Sequence, residues 1–115
     1  MTSIRRLQSD LMDLGLTEYE ARVYLALLKE SPATGYQISK ASGVPRSMVY
    51  EALGRLDNRG AVLSTKTGRA TLYRPLPPDM LLEGYEREQR RLVGSLRAGL
   101  AEVDRPVAAE RLWRI

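Results

Sequence analysis

Apolar residues recur at intervals of three and four through most of this chain, and the breaks in that rhythm divide it into elements. Ile4, Leu7, Leu11 and Leu14 form a first amphipathic stripe that stops near Gly15. The stripe is heptad-like and suits either the inside of the domain or a second subunit. Leu16-Thr17-Glu18-Tyr19-Glu20 opens another helix, with Thr17 as cap, Glu20 completing a capping box and Leu16 stapled onto Ala21. Val23, Tyr24, Leu27 and Leu28 give this helix one apolar side, so Tyr24 reads as packing. Ser31-Pro32 interrupts it, because proline disfavours helical geometry in the residue before it.

Thr34-Gly35-Tyr36-Gln37 restarts a helix with a second threonine cap and capping box, and only Ile38 and Ala41 face inward before Ser42-Gly43. Pro45 sits where the next helix begins, and Gly60 suits a left-handed cap at its end. Within it Val49, Leu53 and Leu56 make a narrow stripe for burial, while Arg46, Ser47, Tyr50 and Arg55 lie off that stripe. A short helix, a glycine-containing turn and a longer helix predict a helix-turn-helix. Residues 62–66 and 70–74 are β-prone and flank Thr67-Gly68-Arg69, which predicts a hairpin carrying Lys66 and Arg69 at its tip. A hairpin in that place is a wing. Two strands alone are marginal, so it must lean on the helices.

Pro75-Leu76-Pro77-Pro78-Asp79 reads as a stiff connector that cannot continue a strand. Asp79 then caps a helix to about Asp104, with Leu82, Tyr85, Gln89, Leu92, Leu96, Gly99 and Val103 at alternating spacings of three and four. Such a helix is roughly 40 Å long, too long for so small a domain to cover its stripe. Its expected partner is a second copy of the chain; the alternative folds it back on the wing and first helix. Gly94 and Gly99 each weaken it by up to about 1 kcal/mol, which partnering would have to offset. Pro106 ends the helix, and Trp113 in the tail calls either for docking onto the body or for a longer protein. The fold class expected is mainly α with a small β-hairpin. Residues 1–78 would form a winged helix-turn-helix DNA-binding domain, 79–105 a coiled-coil dimerisation helix and 106–115 a tail.

The chemistry available is narrow. With no cysteine and no histidine among 115 residues, disulfides, thiol nucleophiles, the usual zinc ligands and imidazole bases are excluded. No carboxylate, lysine or tyrosine pair has catalytic spacing, so neither an enzyme nor a cofactor nor a metal is expected. No run approaches the roughly 18 to 20 apolar residues of a membrane span, and a cytoplasmic protein without membrane partners is the expectation. Charge location adds more. Between Arg46 and Arg74 six basic residues (Arg46, Arg55, Arg59, Lys66, Arg69, Arg74) face two acidic ones (Glu51, Asp57), so this stretch carries the whole net charge of +4. A polyanion would find its attraction there, although a solvated face with a chance bias has the same composition.

The order of motifs then becomes specific. Residues 14–24 (LGLTEYEARVY), Ser42-Gly43-Val44-Pro45-Arg46-Ser47 with Tyr50 and Leu53 after it, and Leu56 to Gly60 closely resemble the TrmB family of prokaryotic transcriptional regulators. The resemblance runs over roughly residues 7 to 105. It implies a winged helix followed by a coiled-coil dimerisation helix, with Pro45, Arg46, Ser47 and Tyr50 at the start of the recognition helix and residues 66–73 in the wing. Many members continue into a sugar-binding domain for which nothing here is long enough. The sugar-sensing role is therefore not carried over, and the effector stays unassigned.

On this view a homodimer places recognition helices, residues 45–59, in successive major-groove faces of double-stranded DNA roughly 34 Å apart, which implies a palindromic operator. The wing, residues 62–74, lies on the flanking backbone. Arg46 is the leading base contact, because a guanidinium at a helix N-terminus can bond guanine O6 and N7 bidentately. Ser47 and Tyr50 bond bases or phosphates, Thr34 and Gln37 phosphates, and Lys66 and Arg69 backbone or minor groove. Tyr50 has an alternative, its ring packed under the wing with only the hydroxyl outside. Arg55 and Arg59 suit surface salt bridges as well as DNA. Met48 reads as partial core, Glu51 as a solvent or helix-pairing charge. Leu82, Tyr85, Leu92, Leu96 and Val103 are the candidate dimerisation residues. The competing reading is a protein-interaction module with only non-specific affinity for nucleic acid.

Overall fold

The computed structural model describes residues 3–104. The chain runs α1 (Ile4–Asp13), α2 (Glu18–Lys29), α3 (Gly35–Ser42), α4 (Arg46–Asn58), β1 (Val62–Thr67), β2 (Ala70–Pro75) and α5 (Pro78–Asp104), and it parts into two units after Pro78. The tail with Pro106 and Trp113 lies outside the described residues.

α2 is the centre of the first unit. It packs against α1, α3, α4 and β2, and this surrounds it more fully than its sequence spacing suggests. Ala21, Val23, Tyr24, Leu25, Ala26 and Leu27 are all buried, while Leu28, expected inside, is exposed. The one-sided helix of the sequence pattern is corrected to one covered on several sides, since neighbours on different flanks bury residues off the main stripe.

Tyr24 belongs to this core, and its hydroxyl donates to the Leu76 carbonyl at 2.6 Å. Burial pushes the phenol above its ordinary value of 10.0. A folded-state pKa above the unfolded one contributes stability that is complete below the unfolded value and lost as pH rises through the folded value. Tyr24→Phe is thus expected to cost about 1–2 kcal/mol at neutral pH, through the lost partner of a part-buried carbonyl. It should also flatten the decline in stability above about pH 10. Urea unfolding at neutral and alkaline pH measures both.

The start of α2 departs from the expected capping box. Thr17 Oγ1 accepts the Glu20 N–H at 3.2 Å, but the Glu20 side chain does not return to the Thr17 backbone. Its Oε2 instead accepts the Thr17 hydroxyl at 2.9 Å, and the carboxylate faces α4, with Arg59 Nε 3.3 Å and Arg55 Nη1 3.9 Å away. The charge attraction of two guanidiniums draws the buried carboxylate toward α4 and away from the Thr17 amide.

α3 does carry the complete box: Thr34 Oγ1 accepts from Gln37 N, and Gln37 Oε1 accepts from Thr34 N. Ile38 is buried, but Ala41 is exposed, contrary to the sequence pattern; the following turn brings Val44 into the core instead. Arg22 holds that turn to α2, its Nε and Nη2 donating to the Ser42 carbonyl at 3.2 and 2.9 Å. α4 then buries Val49, Ala52, Leu53 and Leu56.

Gly60 closes α4 with φ +71°, while its N–H donates to Asp57 O and the Ala61 N–H to Leu56 O. This is the double bond pattern of a left-handed helix end. A Cβ at Gly60 would meet nothing within 4 Å, so the cost of Gly60→Ala is purely one of backbone conformation. About 1–2 kcal/mol is expected from denaturant unfolding.

β1 and β2 pair antiparallel with Thr67 opposite Ala70, which leaves a two-residue turn of Gly68 and Arg69 with Gly68 at φ +63°. The loop is thus one residue shorter than expected; glycine first in a two-residue hairpin turn matches the strand twist. Two hydrogen bonds between Ala33 and Tyr73 (3.1 and 2.8 Å) tie β2 to the segment before α3. Pro75 pairs with Val62 as the last residue of β2, and Pro78 opens α5 with Asp79 in its first turn. The expected connector shrinks to Leu76-Pro77, because proline is tolerated at a strand end and favoured at the first helical position.

α5 spans 27 residues, and none of them is buried. Leu82, Leu92, Leu96 and Val103 are exposed, and Tyr85 is half-buried.

Candidate nucleic-acid interface

The exposed side of α4 begins at its first residue, since Pro45 stands just before it with extended ψ and the helix starts at Arg46. Arg46, Ser47 and Tyr50 are exposed there, and Met48 is half-buried. Farther along the helix the cations have other partners. Arg55 Nη2 donates to Glu51 Oε1 at 2.8 Å, and Arg59 Nη2 donates to the Gly15 carbonyl at 2.7 Å while its Nε faces Glu20. Both arginines are therefore committed to salt bridges within the domain. Among the described residues, Arg46, Lys66, Arg69 and Arg74 make no ion pair.

An open cleft of about 390 Å³ lies between the start of α3, the start of α4 and the hairpin. Thr34, Tyr36, Arg46, Tyr50, Arg69 and Tyr73 are among the residues lining it. Four of the expected contacts, Thr34, Arg46, Tyr50 and Arg69, are thus brought together. Gln37, Ser47 and Lys66 lie outside that lining and are exposed. Because Gln37 Oε1 is occupied by the Thr34 amide, its Nε2 is left to donate outward, the polarity a phosphate oxygen requires.

The Tyr50 ring rests against the α3 start and stays 47 % exposed. A Cβ placed on Gly35 would lie only 2.6–2.7 Å from its hydroxyl and ring atoms, so Gly35 is the residue that leaves room for it. Tyr73, across the cleft, has its phenol pushed up, chiefly by burial and further by Tyr50 and Asp57. It stays a neutral hydrogen-bond donor well into alkaline pH.

Two residues of this face were not singled out from sequence. Tyr36 is 48 % exposed, with Lys40 Nζ 5.1 Å and Arg46 Cζ 5.3 Å from its ring centroid. The Tyr36–Lys40 spacing of four was a readable local signal, whereas the approach of Arg46 from the next helix depends on the turn.

A helix-turn-helix with a hairpin wing, and cations and phenols gathered between them, is the winged-helix architecture. The family described as "Sugar-specific transcriptional regulator TrmB" matches residues 11–79, and the chain belongs to this TrmB family. YrhO of Bacillus subtilis (strain 168) is 49 % identical over 73 residues, covering 64 % of this chain and 26 % of that protein. The HTH-type sugar sensing transcriptional regulator TrmBL1 of Pyrococcus furiosus is 33 % identical over 105 residues, 91 % of this chain and 30 % of its own length. The chain thus spans less than a third of these curated relatives. The solved structure of TrmBL2, described as an archaeal chromatin protein with a novel mode of DNA binding, superposes with a TM-score of 0.76 at 29 % identity. That match covers 97 % of this chain and 41 % of TrmBL2. Among the described residues, no helix is long and apolar enough to cross a membrane, and no group of acidic side chains could hold a metal ion.

Proposed function

We propose that this chain is a sequence-specific DNA-binding regulator that acts as a homodimer. The observation that carries the reading is the cleft, in which Arg46, Arg69, Tyr50 and Thr34 converge from three elements. Residues 1–78 bind the duplex and 79–105 join two copies. Arg46 reads a guanine edge, Ser47 and Tyr50 contact bases or phosphates, and Thr34 and Gln37 hold a phosphate. Lys66 and Arg69 lie along the flanking backbone. The stripe of Leu82, Tyr85, Leu92, Leu96 and Val103, none of it buried within one chain, supports pairing of α5 with a second copy. No effector is assigned, since the sugar sensing of TrmBL1 belongs to a protein of which this chain spans 30 %.

The test is selection of bound duplexes from a random pool, with sedimentation of the free protein. Expected are two inverted half-sites about 10 base pairs apart and twice the 12.9 kDa chain mass. A monomer at working concentration overturns the pairing of α5. The TrmBL2 comparison favours a second reading, in which the chain coats DNA as a chromatin protein without choosing sequence. Selection that enriches no motif would decide for it.

A further inference from the structure

Arg46 needs more than charge to read a base. A guanidinium on a flexible stem must hold its donor fork at one angle to bond both acceptors of guanine, and ordering that stem costs side-chain entropy. Carboxylates commonly hold such arginines, but no acidic group lies within ion-pairing distance of Arg46 among the described residues. What it does have is an aromatic face, the ring of Tyr36 with Arg46 Cζ 5.3 Å from the centroid. Lys40 lies 5.1 Å from the same ring, so Tyr36 bears two cations. A side chain on the first turn of α3 thereby reaches the first residue of α4.

We propose that Tyr36 is a positioning residue that sets the specificity of Arg46: its ring holds the guanidinium toward the major groove and leaves the N–H edge free for guanine. The choice of an aromatic ring has a chemical reason. A carboxylate would take up two of the five N–H donors of the guanidinium, whereas an aromatic face attracts the cation and leaves all five free for the base and the backbone. Lys40, a point charge without a planar fork, serves a phosphate instead. The inference rests on the reading of Arg46 as a base contact.

The test compares wild type, Tyr36→Leu, Tyr36→Phe, Arg46→Ala and the Tyr36→Leu/Arg46→Ala double variant. The readout is the ratio of affinities for the duplex enriched by the wild-type protein and a scrambled duplex of equal composition. Tyr36→Leu is expected to lower that ratio roughly two- to fivefold, and Tyr36→Phe to preserve it. In the Arg46→Ala background, Tyr36→Leu should change the ratio no further. Lys40→Ala should weaken both duplexes alike and flatten the salt slope by about one unit. Tyr36→Gln repeats the comparison with a polar side chain should leucine disturb folding. A ratio that survives Tyr36→Leu but falls with Arg46→Ala overturns the positioning role alone, and so does an undiminished effect of Tyr36→Leu in the double variant. A wild-type protein with no preferred duplex, or an Arg46→Ala protein with an unchanged ratio, overturns the reading of Arg46 and the positioning role with it.

Discussion

Arg46→Ala is expected to reduce the preference for the selected duplex over scrambled DNA by roughly five- to 150-fold, equivalent to about 1–3 kcal/mol. Pro45 stands just before α4, so Arg46 is the first residue of the helix, exposed and lining the cleft. Binding of scrambled DNA falls too, because one cation fewer meets the backbone, but that loss applies to every sequence. The contrast is Lys66→Ala. Lys66 lies exposed on β1 opposite Thr71, outside the cleft lining, and a phosphate contact there predicts equal weakening of both duplexes and a salt slope flatter by about one unit. Fluorescence anisotropy at two salt concentrations separates the two effects. Unchanged preference in Arg46→Ala removes it from base reading, and unequal weakening in Lys66→Ala removes the wing residue from the backbone.

The second large effect concerns stability. Arg59→Ala is expected to cost about 2–3 kcal/mol in urea unfolding, somewhat below the loss for a fully buried pair because Arg59 is 44 % exposed. Its partner Glu20 is 1 % exposed, and Glu20 Oε1 has no hydrogen bond; Arg59 Nε stands 3.3 Å from it without good alignment. Removing Arg59 strands that charge, with Arg55 Nη1 3.9 Å from the other oxygen as the remaining cation. Glu20→Ala removes the buried charge itself and lets both arginines hydrate, so it should cost less than Arg59→Ala. In the double variant Glu20→Gln/Arg59→Ala part of the loss should return. If Glu20→Ala proves the more harmful single change, the carboxylate acts chiefly through Thr17 and not through α4.

Much of this architecture is legible in the sequence. Caps at Thr17 and Thr34, the stripe of Val49, Leu53 and Leu56, and glycines at the end of α4 and in the hairpin are local signals, set by dihedral preference and short-range hydrogen bonds. The two burial errors share an origin. Leu28 and Ala41 lie at inward spacings yet are exposed, because periodicity gives the direction of a side chain and not whether a neighbour is there to cover it. Pro75 and Pro78 signal a connector in the sequence, but a strand end and a first helical turn both accept proline, and the structure uses them there.

By itself the sequence determined the order of elements, the winged-helix class and the stretch from Arg46 to Arg74 that carries the excess charge, since each follows from residues close in the chain. Only the tertiary structure decided how that charge is used. Glu20, far off in sequence, pairs with Arg59 and lies near Arg55; Ala33 fastens the wing through Tyr73; and the turn after α3 sets Tyr36 beside Arg46. Charge counted along a chain is conserved on folding, but its availability is not, because pairing and exposure depend on which distant residues the packing brings within a few ångströms.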